Sequence, residues 1–386
     1  MTIFNSQTPN NMSKLSHIGP SIFSVMSQLA NQHNAINLAQ GFPNFQVDPM
    51  LKEITSKWAK EEIHQYLPMP GYPPLLEKIA NLTFTSYQRK VNPITDILIT
   101  AGATEGIFAS IQGLVGLNEE VIILDPSYDC YETPILLCNA KPIRVKMNDD
   151  FTPNWDAISA VMNSKTRMII TNNPHNPSGR IWSEADYVQL EKLLDVFPNV
   201  LLLSDEVYEY ITFEKKHISA HHRQKLQNRS VVVSSFGKSF HITGWKIGYL
   251  VAPEHLMIEI KKVHQFLVFS VNCIAQYAIN DYLDVSDVSI IGDFYKEKRD
   301  HFANLLHGSQ FELLPCEGSY FQTANYSAIS NEDDLQFSQK LLVEFGVATI
   351  PFSPFFEHGT ELKCIRLCFA KEEDTLQKAA QKLKQL

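Results

Sequence analysis

The sequence contains no long apolar run, and its longest aliphatic stretches, such as 200–203, are short enough for a single β-strand. A membrane-spanning helix needs about 20 apolar residues, so we expect no membrane segment and no membrane partner. The first twenty residues are polar and include one cation, Lys14, which argues against a secretory signal peptide. We therefore expect a soluble, cytoplasmic protein.

Positive charge is also in deficit. The 386 residues include 33 Lys and Arg against 42 Asp and Glu, which gives a formal charge of −9. Because nucleic-acid binding usually needs a basic face, we expect no nucleic-acid partner. The remaining composition, 44% hydrophobic and 19% charged, is that of a globular protein. At roughly 150 residues per domain, the length predicts two or three domains.

Cysteine is sparse, and no two cysteines are spaced as C-x-x-C. The six cysteines favour free thiols in a reducing compartment over a disulfide framework or a zinc site. Thirteen histidines form no H-E-x-x-H motif. The adjacent His221 and His222 lie in a polar, basic stretch that we expect to be a surface loop. The sequence therefore predicts no metal site.

Short apolar runs alternate with helical segments through the middle of the chain. The runs are apolar throughout, as expected for strands that are covered on both faces. They lie at 97–100, 121–124, 167–171, 200–204, 231–234 and 247–251. Helical stretches between them, such as 104–115 and 183–196, indicate β-α-β crossovers and a mainly parallel sheet. We predict a large α/β domain over residues 46–285.

After about residue 285 the pattern changes. Helices are predicted at 289–306, at 333–345 and from 372 onward, with short strands around 311–325 and at 365–369. This mixture indicates a smaller α+β domain. We predict that residues 286–386 form it together with residues 1–45.

The segment S-S-F-G-K-S-F-H-I-T-G-W-K-I-G-Y at 234–249 follows an apolar strand and allows several interpretations. A nucleotide-binding P-loop would need glycine at the position of Val232. A serine acyl-transfer enzyme shares the S-x-x-K of Ser235 and Lys238, but the accompanying S-D-N and K-T-G motifs are absent downstream. A third interpretation is a lysine that forms a Schiff base with an aldehyde cofactor, with Lys246 nearby to neutralise an anion. Taken alone, the segment also fits an exposed lysine at a strand end.

Two more segments place polar side chains directly after predicted parallel strands, where open α/β sheets bind ligands. They are N-N-P-H-N-P-S-G at 172–179 and S-D-E-V-Y at 204–208. Two prolines flank Asn176 and would fix its backbone, although an ordinary turn has the same pattern. Asp205 follows an apolar run, and a buried carboxylate needs a cationic partner such as a protonated ring nitrogen.

Together these segments resemble the class I and II aminotransferases, which are pyridoxal-phosphate enzymes of fold type I. Within them the chain is most similar to the branch of methionine, kynurenine and glutamine aminotransferases. Each matching segment is weak alone, but their order and spacing are specific. Beyond the three segments above, the matches are Q-G-F-P-N-F at 40–45, Q-Y at 65–66, A-G-A-T-E at 101–105, D-P-S-Y-D at 125–129 and I-R-L at 365–367.

The resemblance implies a fold and a cofactor. The fold is α/β, with a mainly parallel sheet flanked by helices in the large domain and a smaller α+β domain beside it. The cofactor is pyridoxal 5'-phosphate, which Lys238 binds covalently. Once released, Lys238 moves the substrate proton, while Asp205 pairs with the ring nitrogen. The other implied cofactor contacts are Asn176 and Tyr208 at the phenolic oxygen, Tyr128 on the ring face, Ala103, Thr104, Ser235 and Lys246 at the phosphate, and Tyr66 from a second subunit.

The resemblance has one departure at the phosphate. Many class I enzymes carry arginine where this chain has Lys246, so a point charge replaces a two-bond grip. The methionine and kynurenine branch tolerates lysine at this position, which supports the assignment to that branch.

The resemblance also implies a substrate site in a homodimer with shared active sites. Arg366 binds the α-carboxylate, with help from Asn176 and Gly41. The residues implied for the substrate side chain carry no charge, which predicts an uncharged, bulky donor and a 2-oxo acid acceptor. Methionine, aromatic amino acids and histidine are the expected donors, with kynurenine and glutamine as further candidates. The pocket residues are Ile18, Phe23, Tyr66, Tyr128 and Phe269, of which Tyr66 and Phe269 would come from the neighbouring chain.

Two alternative functions stay open at this point. A carbon–sulfur β-lyase acting on cysteine conjugates uses the same residues but expels a group from the β-carbon. A non-enzymatic regulator of the same fold is more remote. Such regulators carry a basic winged-helix segment ahead of the fold, whereas this sequence has only about 40 residues before the first predicted element of the large domain.

Overall fold

The computed structural model of the protein describes residues 15–16, 18–360 and 362–386. Residues 1–14 and 17 of the predicted small-domain segment 1–45 lie outside the described residues. The described residues form fourteen α-helices and thirteen β-strands in three sheets. Among them, no helix is both long and apolar enough to cross a membrane.

The strands are β1 (Ile36–Asn37), β2 (Ile97–Thr100), β3 (Glu120–Asp125), β4 (Lys141–Lys146), β5 (Thr166–Asn172), β6 (Leu201–Asp205), β7 (Ser230–Ser234), β8 (Gly248–Val251), β9 (Glu312–Leu313), β10 (Phe321–Asn325), β11 (Val347–Ala348), β12 (Ile350–Pro351) and β13 (Cys364–Cys368). The helices are α1 (Ile22–Gln32), α2 (Pro49–Trp58), α3 (Pro73–Tyr87), α4 (Ala103–Leu114), α5 (Glu132–Leu137), α6 (Trp155–Val161), α7 (Glu184–Val196), α8 (Gln224–Gln227), α9 (Phe236–Ser239), α10 (Glu254–Leu267), α11 (Cys273–Tyr282), α12 (Ile291–Leu306), α13 (Asp334–Phe345) and α14 (Glu373–Leu383).

The largest sheet has seven strands in the order β2-β8-β7-β6-β5-β3-β4. Strands β3 to β7 are parallel, and β8 is antiparallel to both of its neighbours, β2 and β7. Because β2 and β7 are both antiparallel to β8, they run in the same direction as each other. The carboxyl ends of β2, β3, β5, β6 and β7 therefore meet at one edge of the sheet, and the predicted mainly parallel sheet is confirmed.

Burial on both faces explains why the strands are apolar throughout. Ile169 and Leu202 pack into the core on one face of the sheet, while Met168 and Leu203 pack into the core on the other. The edge strand β4 was not predicted, because its sequence alternates and its two terminal lysines are exposed. With charged residues at its ends, β4 lacks the continuous apolar run of the other strands.

Two smaller sheets hold the rest of the site. One is antiparallel, in the order β12-β13-β10-β9, and pairs Thr323 of β10 with Arg366 of β13. The other joins β1 to β11 in parallel, and so ties residues 36–37 to the C-terminal part of the chain. The chain leaves β1 directly into residues 39–42, which run past Arg366 and Lys238. The domain boundaries near residues 45 and 285 stay a prediction.

Candidate active site

A cavity of about 260 Å³ is lined by residues that follow the carboxyl ends of the central strands. Five strand ends contribute to it, because parallel strands present their carboxyl ends at the same edge. A sixth contribution comes from Arg366 on β13 of the four-stranded sheet. The candidate residues that line the cavity are Phe23, Gly41, Ala103, Thr104, Tyr128, Asn176, Asp205, Tyr208, Ser235, Lys238, Lys246 and Arg366.

Lys238 lies in α9, one short turn after β7. Its amine donates to the hydroxyl of Tyr320 at 3.0 Å and lies 3.5 Å from the carbonyl oxygen of Gly41. Burial, reinforced by the charge of Arg366, lowers the pKa of Lys238 to about 8. A lysine with a depressed pKa has an appreciable neutral fraction near neutral pH, which makes it a nucleophile and a proton acceptor.

Asp205, the last residue of β6, is a buried carboxylate at the cavity wall. It accepts hydrogen bonds from the Tyr131 hydroxyl at 2.7 Å and from the Val207 amide at 3.3 Å. Burial raises the pKa of Asp205 to about 6 despite these donors. Among the described residues, no Lys, Arg or His nitrogen lies within 4.0 Å of it. The carboxylate therefore lacks the cation that a buried charge needs.

The start of α4 forms an anion site. Gly102 precedes the helix with φ +79° and without a side-chain cap, which leaves the first amides of the helix, at Ala103 and Thr104, for a ligand. The ammonium of Lys246 lies against this turn, since a Cβ added to Gly102 would be 3.2 Å from Nζ. Ser235 lines the same part of the cavity. Backbone donors, a hydroxyl and a cation together suit a phosphate group.

Arg366 is a buried guanidinium with an exposed fraction of 1%. It donates to Oδ1 of Asn176 at 2.7 Å and to the carbonyl oxygen of Ala39 at 2.9 Å, and it packs on the Phe321 ring with its guanidinium carbon 3.9 Å from the ring centre. Its Nε has no partner among the described residues. A buried cation that pairs only with neutral oxygens is prepared to bind a carboxylate.

Tyr208 and Tyr128 supply aromatic walls. Burial raises the pKa of both hydroxyls well above the ordinary value for tyrosine, so both stay protonated and can donate hydrogen bonds. Phe23 packs against Tyr128, with the ring centres 6.0 Å apart.

Three predicted pocket residues do not line the cavity of the described chain. Ile18 precedes α1 and lies exposed on the surface, so its predicted place in the pocket is not seen. Tyr66 and Phe269 contact each other, with ring centres 5.3 Å apart, and are 82% and 44% exposed. Within one chain, neither side chain reaches the cavity.

Sequence reasoning missed other residues of the site. Tyr131 lies only three positions after Tyr128, yet no motif indicated that it contacts Asp205. Tyr320 contacts Lys238 across 82 residues of sequence. Asn172 lies inside a recognised segment, where its side chain accepts from the Asn176 amide at 2.7 Å. A tyrosine that meets its partner only through tertiary packing leaves no periodic signal.

The predicted surface loop at His221 and His222 is wrong for His221. It lies in a 3₁₀ turn, Ala220–His222, where it is buried beside Arg89, whose Nη1 is 2.8 Å from its Nδ1. Only His222 is exposed. The polar sequence of this stretch therefore reflects a partly buried polar network and not a fully solvent-exposed loop. Within the described part of the chain, no three His, Cys, Asp or Glu side chains converge as metal ligands.

Comparison with known proteins identifies the family. The family model for aminotransferase class I and II matches residues 33–383, which is most of the chain. The chain belongs to this family. Its members use pyridoxal 5'-phosphate, so the protein is a pyridoxal-phosphate-dependent aminotransferase, and the predicted family, fold type, enzyme class and cofactor are confirmed.

Relatives match along nearly the whole chain of this aminotransferase. Methionine aminotransferase from Escherichia coli is 45% identical over 97% of this chain and 98% of its own. A crystal structure of an Escherichia coli protein with methionine aminotransferase function superposes with a TM-score of 0.94, at 45% identity over 97% of this chain and 99% of that one. A kynurenine–oxoglutarate transaminase from Dictyostelium discoideum is 30% identical over 96% of this chain and 95% of its own.

The residues of this aminotransferase fit its cofactor. The carboxylate of Asp205 lacks a cation and suits a protonated ring nitrogen. The uncapped start of α4 beside Lys246 suits the phosphate. The Lys238 amine, with its depressed pKa, suits an aldehyde carbon. Each of the three chemical features of the cofactor thus has a matching group in the cavity.

Proposed function

We propose that this aminotransferase transfers the amino group of an uncharged, bulky amino acid, methionine foremost, to a 2-oxo acid. The observation that carries the proposal is how the cavity cations are used. Among the described residues that line it, the cations are Lys238, Lys246 and Arg366. If these serve the cofactor aldehyde, the phosphate and the substrate α-carboxylate, none is left for a side-chain carboxylate.

Four arginines outside the cavity have other partners. Arg144 pairs with Asp125 and Glu132, and Arg180 pairs with Glu317. Arg89 contacts His221, and Arg167 donates to backbone carbonyl oxygens. None of the four lines the cavity. A donor with a distal carboxylate would bury that charge unpaired, at a cost of several kcal/mol.

The remaining wall is apolar and aromatic. Phe23, Phe42, Tyr128 and Phe321 line the cavity and offer faces that suit a thioether or an aromatic side chain. Discrimination by an apolar pocket is shallow, about 1–3 kcal/mol per methylene group. We therefore expect several uncharged donors to be accepted. The methionine and kynurenine specificities of the relatives support this range.

The bound cofactor supplies the electron sink for the substrate α-carbon. We propose that Lys238 binds it and then accepts and returns the α-proton. The Asp205 carboxylate holds a proton on the ring nitrogen. Asn176 uses its Oδ1 to hold Arg366, which leaves its Nδ2 to donate toward the cofactor beside the Tyr208 hydroxyl. The other proposed contacts are Tyr128 at the ring face, and Ala103, Thr104, Ser235 and Lys246 at the phosphate.

We further propose a homodimer in which Tyr66 and Phe269 complete the partner's active site. Both are large, exposed aromatic residues that do not reach the cavity of their own chain. Phe266, which is 87% exposed, and Leu267, which is 49% exposed, extend this apolar surface along the end of α10. Exposed apolar patches of this kind mark association surfaces.

The test compares uncharged donors with donors that carry a side-chain carboxylate, and includes glutamine and glutamate as a pair of nearly equal shape. We expect methionine to exceed aspartate, and glutamine to exceed glutamate, in kcat/KM with one 2-oxo acid as acceptor. Because an unpaired buried carboxylate costs several kcal/mol, each ratio should be at least about a hundredfold. Lys238→Ala should abolish turnover with every donor, as a control that the assay reports this site. A higher kcat/KM for aspartate or glutamate would overturn the donor assignment but leave the lysine chemistry intact.

The same assay separates transamination from β-elimination. We expect a cysteine conjugate to give its 2-oxo acid only when an acceptor is present. Pyruvate released without an acceptor would assign a carbon–sulfur lyase activity to the same residues.

A further inference from the structure

Tyr320 is a fully buried tyrosine whose hydroxyl lies between the Lys238 amine and a backbone carbonyl. Its oxygen is 3.0 Å from Nζ of Lys238 and 2.6 Å from the carbonyl oxygen of Gly41. The residue directly precedes β10, whose neighbour β13 carries Arg366. The strand pair that positions the carboxylate-binding arginine therefore also delivers a hydroxyl to the lysine.

The chemistry of the partners determines the direction of both hydrogen bonds. A carbonyl oxygen only accepts, so Tyr320 donates its one proton to Gly41. The lone pairs that remain on the hydroxyl oxygen accept from Lys238, which therefore donates an N–H. Tyr320 thus holds one N–H of the amine, while the other bonding positions of the nitrogen stay available toward the cavity.

The ring of Tyr320 has little freedom to move. It packs edge-on against Tyr208 with the ring centres 5.2 Å apart, and against Phe321 at 4.8 Å. On another side it meets Tyr295 at 5.6 Å. A lysine amine on a flexible four-carbon chain has many rotamers, and a rigid acceptor restricts them.

Other charges around Lys238 set the background for this contact. Burial is the largest influence on the pKa of Lys238 and lowers it, as do the positive charges of Arg366 and Lys246. The negative charge of Asp205 acts in the opposite direction. Because an acceptor at 3.0 Å favours the protonated amine, loss of the Tyr320 hydroxyl should lower the pKa of Lys238 further.

We propose that Tyr320 is a positioning residue that holds the Lys238 amine, together with the Gly41 carbonyl, while that amine moves the substrate proton. The inference rests on the proposed role of Lys238. It assigns to the four-stranded sheet a direct influence on proton transfer, in addition to carboxylate binding by Arg366.

The test compares Tyr320→Phe with Tyr295→Phe. Tyr295 is an equally buried neighbour whose hydroxyl has no hydrogen-bond partner among the described residues, so it is a matched control. In the holoenzyme, Tyr320→Phe should lower kcat about tenfold and change KM less than about twofold, since it impairs proton transfer and not binding. The kinetic isotope effect with an α-deuterated donor should rise. Tyr295→Phe should change none of these three quantities.

A second readout does not depend on turnover. Acetylation of Lys238 by acetic anhydride, followed by mass spectrometry, is measured in the cofactor-free full-length protein from about pH 6 to about pH 10. Loss of the acceptor should lower the midpoint by about half a pH unit in Tyr320→Phe and leave it unchanged in Tyr295→Phe. If Tyr320→Phe fails to fold, 3-fluorotyrosine at position 320, a weaker acceptor of the same shape, should shift the midpoint in the same direction.

The outcomes separate this inference from the proposed function. An unchanged midpoint, or an equal change in both variants, would overturn the role of Tyr320. An unchanged isotope effect with a shifted midpoint would also overturn it, because the contact would then not bear on proton transfer. Turnover in Lys238→Ala would instead refute the proposed function of the lysine, whatever the labelling shows.

Discussion

Asp205 shows how a single residue is prepared for a ligand that brings its own charge. Burial alone would make its carboxyl group a weak acid, and the Tyr131 hydroxyl at 2.7 Å partly opposes this effect. The resulting pKa of about 6 leaves the carboxylate ionised at neutral pH. A buried anion of this kind attracts a protonated nitrogen strongly, because water does not compete for it.

We therefore expect Tyr131→Phe to shift the pH dependence of cofactor binding. Removing a hydrogen bond to a charged group raises the pKa of Asp205, by about one pH unit. The affinity of the cofactor-free protein for pyridoxal phosphate falls as Asp205 becomes protonated, so the midpoint of that fall should move to higher pH. Because both proteins bind the same cofactor, the difference between their binding curves reports Asp205 alone. A midpoint that stays in place or moves to lower pH would contradict the assignment.

At the scale of elements, the end of β6 separates two adjacent carboxylates. Successive strand residues point to opposite faces, so Asp205 faces the cavity while Glu206 faces a buried network on the other side. Glu206 accepts from Ser204 at 2.7 Å and from the Ala220 amide at 2.9 Å, and it lies 2.7 Å from Nε2 of His217. Although burial acts to raise the pKa of Glu206, the charge of His217 and its hydrogen bond outweigh burial and lower the pKa to about 2.

This network should stabilise the strand end that carries Asp205. Since the pKa of Glu206 is lower in the folded state than its ordinary value, its contribution is complete above about pH 4.5 and is lost as the pH falls toward about 2. His217→Leu leaves a buried charge without its partner, and should lower the free energy of unfolding by about 3 kcal/mol at neutral pH. Urea unfolding of the cofactor-free protein at pH values from neutral to acidic would measure this loss.

The loss should shrink as the solution becomes acidic. His358→Leu is the control, because His358 lies exposed and its only ion pair among the described residues is with its neighbour Glu357. An equal loss in both variants, or a loss that grows in acid, would contradict the role of the network.

The start of α4 is the other element with a defined task. Gly102 combines a positive φ with close approach to Lys246, so an added Cβ both strains the backbone and crowds the anion site. Gly102→Ala should weaken binding of pyridoxal phosphate at least about tenfold, because the added Cβ would crowd the Lys246 side chain at the anion site. Equilibrium titration of the cofactor-free protein measures the affinity.

Gly308→Ala provides the matched control for this glycine. Gly308 has φ +81° but no heavy atom within 4 Å of an added Cβ, so it shares the strain without the crowding. It should lower thermal stability and leave cofactor affinity unchanged. Equal weakening of cofactor binding by both variants would show that the effect is not local.

At the scale of the whole molecule, the proposed homodimer can be tested at the exposed apolar surface of the chain. Phe266 is the most exposed residue of the apolar surface that also includes Tyr66, Leu267 and Phe269. Phe266→Glu would place a charge in the proposed interface, where burying it costs several kcal/mol. Analytical ultracentrifugation should show a dimer for the unchanged protein and a monomer for this variant, with turnover lowered at least about tenfold.

Val196→Glu is the control for added charge on an exposed apolar position, because Val196 ends α7 on another part of the surface. It should stay dimeric and active. An active monomer of Phe266→Glu would show that Tyr66 and Phe269 are not needed from a partner.

Six of the seven strands of the central sheet, the family and most of the cavity wall could be predicted from the amino-acid sequence. Continuous apolar runs report burial on both faces, a property of neighbouring residues, and polar motifs directly after those runs fall at one edge of a parallel sheet. For that reason Asp205, Asn176 and Lys238 could be placed at this edge of the sheet from the sequence pattern, while their roles were implied by the family resemblance. Arg366 was found through family resemblance, because its own strand carries no marker of its partner.

Contacts between segments that are distant along the chain could not be predicted from the sequence. The meeting of Tyr320 with Lys238, the burial of His221 beside Arg89 and the pairing of β1 with β11 depend on how sheets and loops pack. Hydrophobic periodicity describes which face of an element is buried but carries no information about what covers it. The partners of a buried polar group are set by the topology that brings distant elements together, and this is why the tyrosines that hold Asp205 and Lys238 could not be found from the sequence.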